Sequence, residues 1–176
     1  MLLYCVRHGE SAYNVEGRIQ GQSDVPLSGL GHRQSRAVAE ALSGLPVEAI
    51  YASPLRRAMQ TAQPVAERLN LEIRADPRLM EIHAGVFQEK LRSQLVELYP
   101  EQFARWKSGD PDCTIPGGES RRDLLRRGRE VFEEIGRAGH GVNVGAKETA
   151  TPASDLRSAS QPAVRHRFWP VRPDAD

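Results

Sequence analysis

Two spacings of apolar residues alternate along residues 2–144, and together they predict an α/β fold. Short apolar runs are typical of buried strands, whereas apolar residues three or four positions apart are typical of helices with one buried face. Because strands that alternate with helices form parallel sheets, we expect ligands to bind beyond the carboxyl ends of the strands. The first predicted elements are strand 2–6, helix 29–42 capped by Ser28, strand 49–52, helix 55–69 and strand 71–73.

The rest of this region is predicted to be mainly helical. One helix is expected over residues 92–107 and another over residues 119–137. In the second, the apolar residues fall near one face: Leu124, Leu125, Phe132 and Ile135. A Gly-His-Gly turn at residues 139–141 then leads into residues 142–144, which are predicted to begin a further strand.

The composition changes abruptly near Val144. Ile, Leu, Val and Met number 35 in residues 1–144 but only three in residues 145–176. Four of the 12 prolines also lie after residue 144, and no stretch there keeps a period of 2 or 3.6. We therefore expect one domain over residues 1–144, followed by a disordered tail over residues 145–176.

The charge balance argues against partners that are recognised by overall charge. Lys and Arg number 24 and Asp and Glu number 23, so the formal net charge of +1 would gather neither nucleic acid nor an anionic membrane. The arginines of residues 121–129 are interrupted by acidic residues, which predicts a solvated helix face. No apolar run of about 18 residues and no secretory signal occurs, so a soluble cytoplasmic protein is expected. Cys5 and Cys113 lack metal-ligand spacing and are predicted to be reduced and structural.

Two predicted strand ends carry basic side chains. Arg7 and His8 follow the first strand, and Arg56 and Arg57 follow the next one at the start of a helix. An Arg-His pair alone is also compatible with an ordinary polar surface. Two adjacent strand ends, however, would aim guanidinium groups at one spot, and Arg is the side chain that grips a phosphate through two parallel hydrogen bonds.

These residues, in this order, resemble the histidine phosphatase superfamily, the phosphoglycerate mutase-like proteins. The resemblance covers roughly residues 1–144. It implies a three-layer α/β/α fold with a mostly parallel sheet, phosphomonoester substrates, and no metal or other cofactor. The motifs are Arg7-His8-Gly9-Glu10, Asn14, Leu27-Ser28-Gly29-Leu30-Gly31 with Gln34, the segment 53–62, Leu79-Met80-Glu81-Ile82-His83-Ala84-Gly85, and Pro116-Gly117-Gly118-Glu119-Ser120.

The resemblance implies a role for each matched residue. His8 is expected to attack phosphorus and become phosphohistidine, with its other ring nitrogen held by a backbone carbonyl. Arg7 and Arg57 are expected to neutralise the phosphoryl oxygens, and Asn14 to add a neutral donor. Glu81 is expected to protonate the leaving group and later to activate water. Arg56 stands at a variable position and is left outside this set.

The pattern departs from the family after Val144. Active members carry a second histidine in a Ser/Thr-His-Gly motif that follows an apolar strand, and this motif is absent here. His140 precedes the expected strand and His166 lies in the tail, so neither matches the missing histidine. The fold is therefore expected to be incomplete at its C-terminal end. A shift of reading frame near codon 144, or a truncation with an unrelated ending, would account for the change, and the DNA sequence tests this hypothesis.

The sequence is compatible with three functions. The first is a phosphohydrolase that acts on a small phosphorylated metabolite. The second is a phosphoglycerate mutase, although mutases of the family are usually longer between Glu81 and the Pro116 loop. The third is a phosphate binder without catalysis, or an inactive product. His83 could line the substrate pocket or be a hydrogen-bonded structural residue, and the natural substrate and oligomeric state are not predicted.

Overall fold

The sheet of the protein is parallel, as the alternating pattern predicts. A computed structural model of the chain describes residues 2–138 together with the backbone of residues 143–144 and 165–166. One sheet has the strand order β2-β5-β3-β4 and a second pairs β1 with β6, and every described pair is parallel. The strands are β1 (Leu2–Leu3), β2 (Cys5–Val6), β3 (Ile50–Ala52), β4 (Ile73–Ala75), β5 (Asn143–Val144) and β6 (Arg165–His166).

The described part of the chain contains six α-helices. The cap predicted for the second is confirmed, because the Ser28 side chain accepts a hydrogen bond from the Gly31 N–H. The short first helix and two 3₁₀ turns, Pro77–Leu79 and Gly85–Phe87, are elements that the apolar pattern does not predict. The helices are α1 (Ala12–Glu16), α2 (Gly29–Leu42), α3 (Arg56–Leu69), α4 (Arg92–Leu98), α5 (Pro100–Lys107) and α6 (Arg121–Ala138).

Helices cover both faces of the sheet, which makes the fold a three-layer α/β/α arrangement. Along β3, Ile50 and Ala52 are fully buried in a cluster with apolar residues of α2 and α3. Tyr51 points to the other face, where it packs with Val131 and Ile135 of α6. This alternation is the period of two expected of a strand that is buried on both sides.

A third apolar cluster lies under α4 and α5. It is built around the aromatic ring of Phe87, which is completely buried. The ring of Phe87 packs edge-on against Phe103 and Trp106, with centroids 6.0 and 6.2 Å away, and tilted against Tyr99 at 5.7 Å. Such pairs fix the packing of α5 on the turn that follows residue 84.

Some predicted elements are wrong in their bounds. The helix predicted over residues 92–107 is two helices, because Pro100 disfavours helical geometry at Tyr99, whose φ is −141°. The first strand is interrupted at Tyr4. The strand predicted at residues 71–73 begins only at Ile73, since Asn70 ends α3 in the left-handed region with φ 54°. On α6, Leu125 is 48% exposed, so it lies off the buried face.

The tail prediction is not tested by the structure. Of residues 145–176, only the backbone of β6 is described, and it pairs with β1. His140 and most of the tail lie outside the described residues. None of the helices in the described part of the chain has the length and apolarity needed to cross a bilayer.

Candidate functional site

His8 stands just beyond the carboxyl end of β2 and is half-buried. Its Nδ1 lies 2.7 Å from the carbonyl oxygen of Gly9. A carbonyl only accepts hydrogen bonds, so Nδ1 carries a proton, and a neutral ring with this hydrogen bond has no proton on Nε2. The lone pair of the imidazole is therefore on Nε2, as a nucleophilic histidine requires.

The loop that carries this imidazole is shaped by a close approach between two glycines. A Cβ atom on Gly31 would lie 2.0 Å from the carbonyl oxygen of Glu10, and one on Gly9 would lie 2.6 Å from the carbonyl oxygen of Gly31. The loop is also tied to α2 by hydrogen bonds from the Glu10 N–H to Gln34 Oε1 (2.8 Å) and from Ser28 Oγ to Glu10 Oε1 (2.6 Å). The beginning of α2 thus sets the position of the loop.

Thr61 joins the same loop to α3. The Gly9 N–H donates to Thr61 Oγ1 at 3.0 Å, and the Thr61 hydroxyl donates to the Arg57 carbonyl at 2.7 Å. All three residues are buried. The two strand ends are not adjacent, contrary to the sequence prediction, because β5 lies between β2 and β3. The residues that follow them are nevertheless connected through the Thr61 hydroxyl.

Arg57 is a buried cation in which one nitrogen has no hydrogen-bond partner among the described residues. Its side chain is 1% exposed, and its Nη1 and Nη2 donate to the carbonyl oxygens of Ser23 (2.8 Å) and Gly21 (2.7 Å). Among the described residues its Nε has no hydrogen-bond partner. Burial lowers the pKa of Arg57, and the negative charges of Glu81 and Asp24 partly oppose that shift. A buried guanidinium without a hydrogen-bonded carboxylate favours an anionic ligand.

Arg7 and Asn14 each have side-chain hydrogen-bond donors that no described residue uses. Arg7 is exposed, and its side chain makes no hydrogen bond or ion pair within the described part of the chain. Asn14 Oδ1 accepts a hydrogen bond from the Ser11 N–H at 3.0 Å. Its oxygen is therefore occupied by the cap of α1, which leaves the amide NH₂ as the group that can donate to a ligand.

Glu81 lies in an irregular segment that two side chains hold by its main chain. Its carbonyl accepts hydrogen bonds from Gln22 Nε2 and from Arg127 Nη2, both at 3.0 Å. Its carboxylate accepts from the Ile82 N–H at 3.0 Å. The carboxylate also lies close enough to Arg57 to act on the pKa of that group.

His83 is held in a turn. Its N–H donates to Glu119 Oε1 at 2.9 Å, its carbonyl accepts from the Glu119 N–H at 3.0 Å, and its Nδ1 accepts from the Gly85 N–H at 3.2 Å. These hydrogen bonds are compatible with a structural His83, and a contact with substrate stays a prediction.

The structure corrects the sequence interpretation of the arginines at residues 121–129. Arg127 is not solvated: its side chain is 15% exposed and pairs with Glu119. Arg121 stacks on the ring of Trp106, with its guanidinium carbon 5.6 Å from the ring centroid. Gln22 and Arg127 contact the site but carry no local sequence signal. Thr61 lies in the motif segment 53–62, but the sequence predicts no role for it. Within the described residues, no group of three or more His, Cys, Asp or Glu side chains is placed to hold a metal ion.

The chain is similar to known proteins along most of its length. A family model described as the histidine phosphatase superfamily (branch 1) matches residues 3–146. A probable phosphoglycerate mutase GpmB of Serratia proteamaculans is 41% identical over 131 residues, which are 74% of this chain. The aligned part is 61% of that relative, so the chain spans about three fifths of its length.

Two further similarities bear on phosphatases. Phosphoserine phosphatase 1 of Hydrogenobacter thermophilus is 34% identical over 167 residues, which are 95% of this chain and 79% of that protein. A solved structure of a mycobacterial glucosyl-3-phosphoglycerate phosphatase in complex with VO₃ has a TM-score of 0.74 and 36% identity, covering 81% of this chain and 73% of that one.

Proposed function

The chain belongs to the histidine phosphatase superfamily, and on that premise we propose that it hydrolyses small phosphomonoesters through a phosphohistidine on His8. The observation that carries the proposal is the hydrogen bond between His8 Nδ1 and the Gly9 carbonyl. It supports a lone pair on Nε2 in a ring that stands beyond a strand end, in the loop that includes Arg7 and that Thr61 connects to Arg57.

The first half-reaction transfers the phosphoryl group to the protein. Nε2 of His8 attacks phosphorus, a N–P bond forms, and the P–O bond to the alcohol breaks. Arg7, Arg57 and the Asn14 amide donate to the phosphoryl oxygens as charge develops on them. The carboxyl group of Glu81 gives its proton to the departing alkoxide, so that a neutral alcohol leaves.

The second half-reaction returns the protein to its starting state. The Glu81 carboxylate, now deprotonated, takes a proton from a water molecule, and the oxygen of that water attacks phosphorus. The N–P bond breaks, inorganic phosphate leaves, and Glu81 is again protonated for the next turnover. One carboxyl group therefore serves both half-reactions in opposite directions.

The missing Ser/Thr-His-Gly motif sets the expected rate. β5 begins at Asn143, but the sequence after Val144 lacks the histidine that would add a donor to the phosphoryl group. Removal of one donor from such a pocket lowers the rate about 100- to 1,000-fold. We therefore propose a slow hydrolase, in which His8 is still phosphorylated.

The test is turnover of a chromogenic phosphomonoester together with acid-labile phosphate on the protein. His8→Ala should abolish both signals, whereas His32→Ala should retain them, because His32 lies on α2 outside the site. Equal labelling of the wild type and the His8→Ala variant would contradict the proposal. Binding of phosphate or vanadate without labelling would instead favour a non-catalytic phosphate binder, and absence of binding would indicate an inactive product.

A phosphoglycerate mutase is the second candidate. The similarity to the Serratia proteamaculans protein, named a probable phosphoglycerate mutase, favours it. The short connection between Glu81 and Pro116 favours the hydrolase. Incubation with 3-phosphoglycerate separates them, because a hydrolase releases inorganic phosphate and a mutase produces the isomer without release.

We also propose that the catalytic domain occupies residues 1–144 and that residues 145–176 form a separate tail. The family model, which ends at residue 146, supports this boundary. The alignment with the Hydrogenobacter thermophilus phosphatase extends further along the chain, which argues against it. Limited proteolysis followed by mass spectrometry should release a fragment that ends close to Val144. First cleavage inside residues 2–138 would contradict the boundary.

A further inference from the structure

We propose that Arg127 is a positioning residue for the proton donor Glu81. The inference rests on the proposed function, in which Glu81 protonates the leaving group. Arg127 does not need to contact the substrate for this role. It fixes the main chain of residues 78–83, here called the acid segment, from which the Glu81 carboxyl group projects.

Arg127 uses all five of its N–H donors within the described residues. Nη1 donates to the carbonyl oxygens of Arg78 and Met80, both at 2.6 Å, and Nη2 donates to the carbonyl of Glu81 at 3.0 Å. The acid segment has no strand or helix ladder between Met80 and Ala84 to satisfy these groups. One guanidinium therefore replaces the secondary structure that would otherwise fix the segment.

Glu119 holds the guanidinium in place. Its Oε2 accepts from Arg127 Nε at 3.1 Å and its Oε1 accepts from Arg127 Nη2 at 2.5 Å, which is the bidentate geometry of a strong pair. The same carboxylate accepts from the His83 N–H, and the Glu119 N–H donates to the His83 carbonyl. Arg127 and Glu119 thus hydrogen-bond to the acid segment near its two ends, at Arg78 and at His83.

The approach of Glu119 to the segment depends on the glycines beside it. A Cβ on Gly118 would lie 2.3 Å from the His83 carbonyl oxygen, and one on Gly85 would lie 2.1 Å from the Pro116 carbonyl oxygen. Only glycine allows these two turns to pack backbone to backbone. This explains the glycine directly before Glu119, whereas Gly117 has a φ of 71°, in the left-handed region that favours glycine.

The neighbour Arg126 provides a matched control. It precedes Arg127 on α6, but its side chain is 67% exposed, and among the described residues it pairs only with Asp123 at 3.4 Å and Glu130 at 3.8 Å. Exposed pairs of this kind contribute little to stability. Replacement of Arg126 removes the same charge from the same helix and leaves the acid segment untouched.

The chemistry of the leaving group separates positioning from a general loss of structure. An alkoxide is a strong base and needs a proton as the P–O bond breaks, whereas p-nitrophenolate leaves without one. A misplaced Glu81 should therefore slow the transfer from an alkyl phosphate far more than from p-nitrophenyl phosphate. The parameter kcat/KM reports the steps up to alcohol release, so it excludes the later hydrolysis of phosphohistidine.

The experiment compares kcat/KM for an alkyl phosphate such as glycerol phosphate with that for p-nitrophenyl phosphate. Arg127→Met should lower the first about 10- to 100-fold, the loss typical of a displaced catalytic group, and the second less than about 3-fold. Glu81→Gln should show the same selectivity with a larger loss, and Arg126→Met should change neither value. Equal losses on the two substrates in Arg127→Met would overturn the inference. Arg127→Lys is the milder variant if Arg127→Met does not fold, because lysine keeps the positive charge but lacks the planar five-donor geometry of the guanidinium.

Hydrogen exchange tests the positioning without activity. In Arg127→Met the amides of residues 79–84 should exchange at least about 10-fold faster than in the wild type, whereas those of α2 should be unchanged. Unchanged exchange in residues 79–84 would overturn the inference at any level of activity. A wild-type chain that hydrolyses neither substrate would overturn the proposed function, and the exchange rates would then decide the positioning role alone.

Discussion

Substitution of Gly31 by Ala tests how the loop that carries His8 is held against α2. The added Cβ would lie 2.0 Å from the Glu10 carbonyl oxygen and 3.0 Å from the Glu10 N. Both are main-chain atoms, so no side-chain rotation relieves the clash. The beginning of α2 must therefore move by about 1 Å or more to restore van der Waals contact.

The expected loss of stability follows from three contributions. Overpacking against backbone lowers the free energy of unfolding by about 1–3 kcal/mol. The shift also strains two hydrogen bonds, from the Ser28 N–H to the Glu10 carbonyl (2.8 Å) and from Ser28 Oγ to Glu10 Oε1 (2.6 Å), each worth about 1 kcal/mol. Ala gains about 1 kcal/mol over Gly as a helix former. The net loss is about 2–4 kcal/mol.

Gly29 provides the control, since it lies in the same first turn of α2. A Cβ at this position has only Arg33 Nη1 nearby, at 4.0 Å. Gly29→Ala should therefore leave the stability unchanged or raise it by up to about 1 kcal/mol. Urea denaturation followed by circular dichroism measures both free energies of unfolding. A Gly31→Ala variant within about 0.5 kcal/mol of Gly29→Ala would refute the close-approach argument.

Three more outcomes are expected from the packing and hydrogen bonds. Thr61→Ala should be about 1 kcal/mol less stable than Thr61→Ser in urea, because the buried Gly9 N–H loses its acceptor; equal stabilities would contradict this. The hydrogen bonds from Arg78 lower the pKa of Asp76 in the folded protein. The stability that the ionised carboxylate contributes is therefore present above the unfolded pKa of 3.8, and it is lost as the pH falls through the lower pKa of the folded state. Asp76→Asn should therefore be about 1 kcal/mol less stable than the wild type at pH 7, and this gap should close in acid; a constant gap would count against it. Phe87→Ala should lower the free energy of unfolding by about 3–5 kcal/mol, because the ring of Phe87 is fully buried. A melting temperature equal to that of the wild type would show that the aromatic cluster is not a core of the fold.

The elements that the sequence predicts correctly depend on nearby residues. The helix from Gly29 to Leu42 begins where Ser28 caps it, and the cap needs only a side chain three residues from its donor. The break at Tyr99, which the predicted helix over residues 92–107 missed, also has a local cause, because Pro100 disfavours helical geometry at the residue before it. The contacts that build the site are distant in sequence, as between Thr61 and Gly9 or between Gln22 and Glu81. No periodic pattern encodes such pairs.

The sequence alone determines the motif residues, the order of strands and helices, and the family of the chain. Each of these is a property of residue types at short spacing. The tertiary structure alone shows which of two adjacent arginines, Arg126 or Arg127, hydrogen-bonds to the acid segment. Successive helical residues point about 100° apart, so one of Arg126 and Arg127 faces solvent and the other faces inward. Which one faces inward depends on what packs against α6, and the Glu119 carboxylate and the carbonyls of the acid segment are brought there by the fold.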